Sequence, residues 1–228
     1  MEHSIIEPLS VEWYTGILVS FIFSFIFYFL LSNKKLNIDK TSGYFLFCLF
    51  LFNQIYLIMT GSWSVEESIP IHLCNISYIM SCLLLLSKKQ FYFEWVLYFG
   101  VASGINAILT PELTHGSDFW KYSYFYISHA LLVILPFIMM KKYNFFPRRN
   151  SWFKFFCLIN LIAPFIYIIN NLLQSNYMYL NSKPKAENPF LIGDWPWYIL
   201  GLEVVIFVFL LIIYLPFVFL NKKRNIWN

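Results

Sequence analysis

Charge is what this sequence has least of. Asp, Glu, Lys and Arg together make up 12% of its 228 residues, against 59% hydrophobic and 22% aromatic residues. That balance excludes an ordinary soluble domain, in which about a quarter of the residues are charged. Cysteine is scarce as well, with 4 in the chain and none in an expected outer loop, which excludes an extracellular disulfide framework. No C-x-x-C, no H-x-x-x-H and no dense acidic set at ligand spacing occurs, so neither a metal centre nor any other cofactor is expected. The N-terminus lacks Lys and Arg and carries Glu2, Glu7 and Glu12. The first apolar run therefore has no basic leader of the kind that marks a cleaved signal peptide, and it reads as a helix. Nothing resembles a nucleic-acid-binding motif.

What is present is a series of apolar runs. Stretches of about 17–25 apolar residues mark membrane spans, and the sequence reads as seven: 13–32, 43–60, 70–87, 91–110, 122–140, 152–173 and 196–220. The predicted fold class is all-α, a polytopic seven-transmembrane-helix bundle forming a single domain over residues 1–228. The longest remaining loop, 174–195, is too short for a soluble domain. Of the 16 lysines and arginines, Lys121, Lys183 and Lys185 fall on one side of this plan and all the others on the opposite side. Short cytoplasmic loops are enriched in Lys and Arg, so the N-terminus is expected outside and the C-terminus in the cytoplasm. Lys222-Lys223-Arg224 reads as a stop-transfer anchor. The net charge of +4 is thus a topology signal, and the basic side suits anionic lipid headgroups.

Polar residues inside the spans are few, and most lie in their outer halves. Pro70-Ile71-His72-Leu73-Cys74-Asn75 places a histidine, a cysteine and an asparagine at the start of the third helix. Asn106 and Thr110 close the outer end of the fourth, and His129 lies about two turns down the fifth. Asn170 and Asn171 end the sixth, and Glu203 follows the interfacial Trp195-Pro196-Trp197-Tyr198. Buried polar groups in hydrocarbon face the bundle interior or a cavity, which makes this layer a candidate site. Helical spacing sets His72 and Asn75 on roughly the opposite side from Cys74, so His72 is a poor base for that thiol. His129, with Tyr122 and Tyr126 on its stripe, is the better candidate. A cysteine near a helix N-terminus beside a histidine suits nucleophilic chemistry. The same residues could equally form a hydrogen-bonded packing seam. Glu203 either orients the imidazole or stays neutral and donates to a neighbouring helix. Gly100-Val101-Ala102-Ser103-Gly104 with Ala107 reads as a small-residue packing face.

Thr60-Gly61-Ser62-Trp63-Ser64, Ile69-Pro70-Ile71-His72-Leu73-Cys74, Leu109-Thr110-Pro111-Glu112-Leu113 and Trp195-Pro196-Trp197-Tyr198-Ile199-Leu200 together resemble the bacterial YwaF-type membrane proteins, over roughly residues 55 to 216. That family is similar to the animal transmembrane protein 164 group, described as phospholipid acyltransferases with a cysteine and a histidine at the active site. The resemblance implies a bacterial plasma-membrane enzyme in which Cys74 takes a fatty acyl group from a phospholipid as a thioester. His129 would be its base and acid, and a lysophospholipid or other lipid alcohol or amine would accept the acyl group. Asn106, Asn171 or His72 would supply oxyanion donors, with Asn75, Tyr126 and Glu203 in support. The rival readings are a small-solute transporter or receptor, and a non-catalytic lipid-binding protein. Glu203 as the lone clear intramembrane carboxylate and the lack of internal repeats weigh against a carrier.

Overall fold

The computed structural model describes residues 3–186 and 191–224, apart from the side chains of 222–224, so the expected anchor at Lys222-Lys223-Arg224 lies outside what is described. Helices dominate: α1 (Val11–Ser32), α2 (Asp39–Met59), α3 (Leu73–Ser87), α4 (Gln90–Leu109), α5 (Phe119–Tyr143), α6 (Ser151–Leu173) and α7 (Trp197–Arg224). Six of them are long and apolar enough to cross a membrane, and α3 is the shorter exception. Its fifteen residues span about 22 Å, less than the ~30 Å of a hydrocarbon core. The expected third span was to begin at Pro70. Instead Pro70 and Ile71 form a turn and the helix begins at Leu73.

The long runs form helices because only a helix pairs every backbone group inside hydrocarbon. Side chains then sort by what they face. Phe21, Phe25 and Phe29 of α1, Phe165 and Ile168 of α6 and Val204 and Ile212 of α7 are exposed apolar groups, a surface that water would not tolerate at this density and that lipid tails solvate. Inside, α3, α4 and α5 form the centre, where Leu84, Leu85, Phe93, Val96, Leu131 and Leu135 are fully buried. Within α4 the segment Val96–Gly100 winds as a π-helix, a widened turn that often accompanies functional sites.

The small-residue face of α4 does bring helices together. A Cβ at Gly104 would stand 2.8 Å from the His129 carbonyl oxygen of α5, and one at Gly100 would stand 3.5 Å from that of Leu132.

Each end of the bundle is tied by ions. At the end carrying the basic loops, Asp39 is fully buried and paired with Lys142 at 2.9 Å and Lys88 at 3.6 Å, and Tyr143 Oη donates to it at 2.5 Å. Glu94, also fully buried, holds Arg148 at 2.6 Å. Several of the cations that serve as topology markers are therefore also partners of buried carboxylates.

At the opposite end a short antiparallel pair, β1 (Ser4–Ile5) with β2 (Glu112–Leu113), draws the N-terminus over the bundle. His3 bridges two carboxylates there, its Nδ1 lying 2.6 Å from Glu112 Oε1 and its Nε2 2.8 Å from Glu67 Oε1. His115 lies in the same layer with its Nδ1 buried and unpartnered among the described residues. Burial, opposed by Glu67 and aided by Lys121, holds its imidazole below the ordinary histidine pKa. The unfolded chain therefore takes up the proton first. The stability contributed by the neutral ring is complete above about pH 6.5 and is lost as pH falls through that value toward the lower folded pKa. His115→Gln is expected to flatten part of this acid-side fall in a melting-temperature series.

Candidate functional site

Between the helices lies a cavity of about 420 Å³, within the range of sites that bury a small ligand. Cys74 and His129 both line it, as do His72, Asn75, Asn106 and Glu203. Six of the eight residues singled out from the sequence thus share one space.

Cys74 is the second residue of α3, and His72 is the N-cap but makes no side-chain cap bond. The first helical hydrogen bond runs from Ile76 N–H to the His72 carbonyl at 3.0 Å. The amides of Leu73, Cys74 and Asn75 therefore have no carbonyl partner within the helix; those of Cys74 and Asn75 are directed at the Cys74 sulfur, and all three residues line the cavity. The thiol itself lies 4.0 Å from Asn75 Oδ1.

His129 is buried at 8% exposure. Its Nδ1 lies 2.7 Å from the Phe125 carbonyl oxygen, one turn back on α5. A carbonyl can only accept, so Nδ1 carries the proton and Nε2 keeps its lone pair. The Phe125 ring packs against the imidazole at 4.4 Å between centroids. This backbone carbonyl does the orienting that was one of the two roles open to Glu203, the other being a hydrogen bond to a neighbouring helix. Glu203 instead accepts a hydrogen bond from Asn160 Nδ2 at 2.9 Å, across the seam between α6 and α7.

His72 has the reverse tautomer. The Met178 backbone N–H donates to its Nδ1 at 3.2 Å, so the neutral ring keeps its proton on Nε2. Tyr177 and Tyr179 flank the ring at 5.0 and 5.5 Å. Both tyrosines belong to a 3₁₀ turn organised by Asn170, which is fully buried. Asn170 Oδ1 accepts from Tyr177 N at 2.8 Å and from Ser175 Oγ at 2.9 Å.

Two expected site residues stand elsewhere. Tyr126 packs on α1, where a Cβ at Gly16 would fall 2.1 Å from its ring, and it does not line the cavity. Asn171 accepts from Asn181 Nδ2 at 3.2 Å and likewise lies off it. On a helix turning about 100° per residue, His129 is about 40° from Phe125 and about 60° from Tyr126. Tyr126 accordingly falls toward α1 while Phe125 lines the cavity with the histidine.

The sequence reading missed the mouth of the site. His3, Glu67 and Glu112 meet from positions far apart in the chain, and Glu112 Oε2 also accepts from Ala186 N at 2.9 Å. A second, polar chamber of about 490 Å³ is lined by these three and by Lys183 and Lys185. It shares Glu67, His72, Glu112 and Tyr179 with the main cavity. A chamber lined by polar side chains thus adjoins the larger set of apolar walls, and His72 belongs to both.

Gly104 supports His129 directly. Gly104→Ala must push its new methyl into the His129 carbonyl, so the backbone that carries the imidazole has to move. The expected result is a destabilisation of about 1–3 kcal/mol, the usual cost of overpacking, read as a lowered unfolding temperature.

These features define a multi-pass helical membrane protein with a cysteine–histidine cavity between its helices. The TMEM164 family model matches residues 6–214, and the chain belongs to that family. No curated protein and no solved structure matches it.

Proposed function

We propose that the protein is a membrane phospholipid acyltransferase that carries the acyl group on Cys74. The observation that carries this reading is the shared cavity: Cys74 and His129 both open into it, and His129 is held in the tautomer whose free Nε2 can take a proton. In the first half-reaction His129 Nε2 removes the thiol proton and the Cys74 sulfur attacks an ester carbonyl of the phospholipid. The oxyanion forms beside the Cys74 and Asn75 amides that flank the sulfur, donors of the kind that stabilise such intermediates. As it collapses, the C–O ester bond breaks, the leaving glycerol oxygen takes the proton from His129, and an acyl thioester remains on Cys74. In the second half-reaction His129 takes the proton of a lysophospholipid hydroxyl, whose oxygen attacks the thioester. The C–S bond breaks and the proton returns to sulfur.

Two further features support the reading. The polar chamber suits a polar headgroup while the cavity suits acyl chains. The lining residues Phe99, Ile159 and Leu210 are each at most 5% exposed, packing that weighs against a through-going transport path. We place the His3 end outside a bacterial plasma membrane, from the distribution of Lys and Arg. An impermeant maleimide is expected to label Val65→Cys on intact cells and to spare Lys34→Cys, and the reverse pattern would overturn the orientation.

The chemistry is tested by incubating purified protein with defined phospholipids and measuring intact mass. A hydroxylamine-sensitive acyl adduct in the wild type that is missing in Cys74→Ala supports the proposal. The absence of any adduct, with unchanged lipids, would overturn it in favour of lipid binding without catalysis.

A further inference from the structure

We propose that the deep part of the cavity between α4, α6 and α7 seats the transferred acyl chain, and that Phe99, Ile159 and Leu210 form a floor that sets its length. The proposal rests on the acyltransferase reading for its chemistry, but its geometry stands apart from it. The cavity wall descends unequally. On α2 it ends at Phe50, about 14 Å below the Met59 end at ~1.5 Å per residue. There the Phe50 ring stacks on Tyr78 at 5.9 Å, which blocks further descent. On α6 and α7 the lining continues to Ile159 and Leu210, about 21 Å and 20 Å below Leu173 and Trp197. Val205, Ile206 and Phe209 extend the same wall on α7.

The lining of α6 and of α7 below Glu203 is apolar throughout, while Ser128 and His129 of α5 stand about 14–15 Å below Phe119, level with Phe99 and above Ile159 and Leu210. An acyl chain is the occupant that this layout fits, because its carboxyl end needs the Cys74 level and the rest of it needs only hydrocarbon. A phosphate or a sugar would leave its polar groups unpaired there. Chain length is then read by contact with the floor. Leu210 is 1% and Ile159 5% exposed, so neither can yield without repacking. A chain one step too long meets closed packing, and a chain too short leaves a void.

Discrimination in such a pocket is about 10–200-fold per methylene. In vesicles holding equal amounts of phosphatidylcholines with saturated chains graded from short to very long, Ile159→Phe is expected to shift the Cys74-bound acyl group toward shorter chains. Leu210→Ala should shift it toward longer ones, each by about 10-fold in the ratio of neighbouring lengths. Ile159→Val, which removes a single methylene, should move the ratio in the Leu210→Ala direction and keeps the assay open if Ile159→Phe fails to fold. Val208→Ala, on the lipid-facing side of α7, should change nothing.

The second readout needs no chemistry. Native mass spectra of the same variants in a Cys74→Ala background should show the bound lipids changing length in the same directions. Acyl transfer with unaltered length preference in folded Leu210→Ala and Ile159→Val would overturn the floor and spare the catalytic reading. No transfer by any form, together with shifted bound-lipid profiles, would overturn the catalytic reading and leave the chain seat standing.

Discussion

His129→Ala is expected to lower acyl transfer by about 10²–10⁴-fold, the usual worth of a positioned general acid–base, while the protein stays folded. The separation of the two effects follows from what the ring touches. Its one hydrogen bond goes to the Phe125 carbonyl of its own helix at 2.7 Å. That carbonyl keeps the helical partner available to any non-proline residue at this position, so losing the ring orphans nothing. The remaining cost is a cavity next to existing empty space, toward the low end of about 3–5 kcal/mol for a large side chain deleted from a core. His129→Gln is expected not to restore the rate, because an amide donates and accepts but cannot carry a proton between thiol, leaving oxygen and acceptor. Mass spectra should show the thioester forming slowly in either variant and Cys74→Ala not forming it at all. A His129→Ala protein that turns over lipid at the wild-type rate would remove the histidine from the mechanism, leaving the helix N-terminus to activate Cys74.

The fold was legible because hydrocarbon leaves a chain few options. An apolar run of about twenty residues has to become a helix, and six such helices stand where the runs predicted them. The third was misjudged at its start. Pro70 suits a first helical turn, but it also suits a tight turn, and the chain uses it for the latter so that His72 can receive the Met178 amide. That contact joins residues 106 apart in sequence, and nothing local announces it.

The same limit explains the other misses. His3, Glu67 and Glu112 lie far apart in sequence, and nothing local marks them as partners until the fold brings them together. Asn170 and Asn171 are adjacent and chemically alike, and the 100° between them decides which one is buried as the organiser of the 3₁₀ turn. Depth along each helix could be counted from the sequence, which set Cys74, Asn106, His129 and Glu203 in one layer, and all four line the cavity. Azimuth could not be counted without the neighbours, so Tyr126 was assigned to the wrong face.

Arg148→Ala is expected to destabilise the protein by about 3–5 kcal/mol, the cost of leaving a buried charge unpaired, and by more than Glu94→Gln does. At first sight the reverse should hold, since Glu94 is fully buried and the Arg148 side chain is 57% exposed. Exposure is the reason for the asymmetry. Without Glu94's charge, the guanidinium turns to water at little cost, and a glutamine of the same shape still offers an oxygen to the Arg148 backbone N–H, which now donates to Glu94 Oε1 at 2.6 Å. Without Arg148's side chain, the carboxylate loses three contacts of 2.6 to 3.1 Å and its counter-charge. Gln90 Nε2 at 3.2 Å and the residue-148 amide then remain as its neutral donors. The double variant Glu94→Gln/Arg148→Ala should therefore be more stable than Arg148→Ala alone, because it removes the stranded charge. Chemical unfolding of the four proteins in one detergent gives the coupling energy directly. A double variant at least as unstable as the sum of the two singles would mean that Arg148 acts by packing its stem against the bundle rather than by neutralising Glu94.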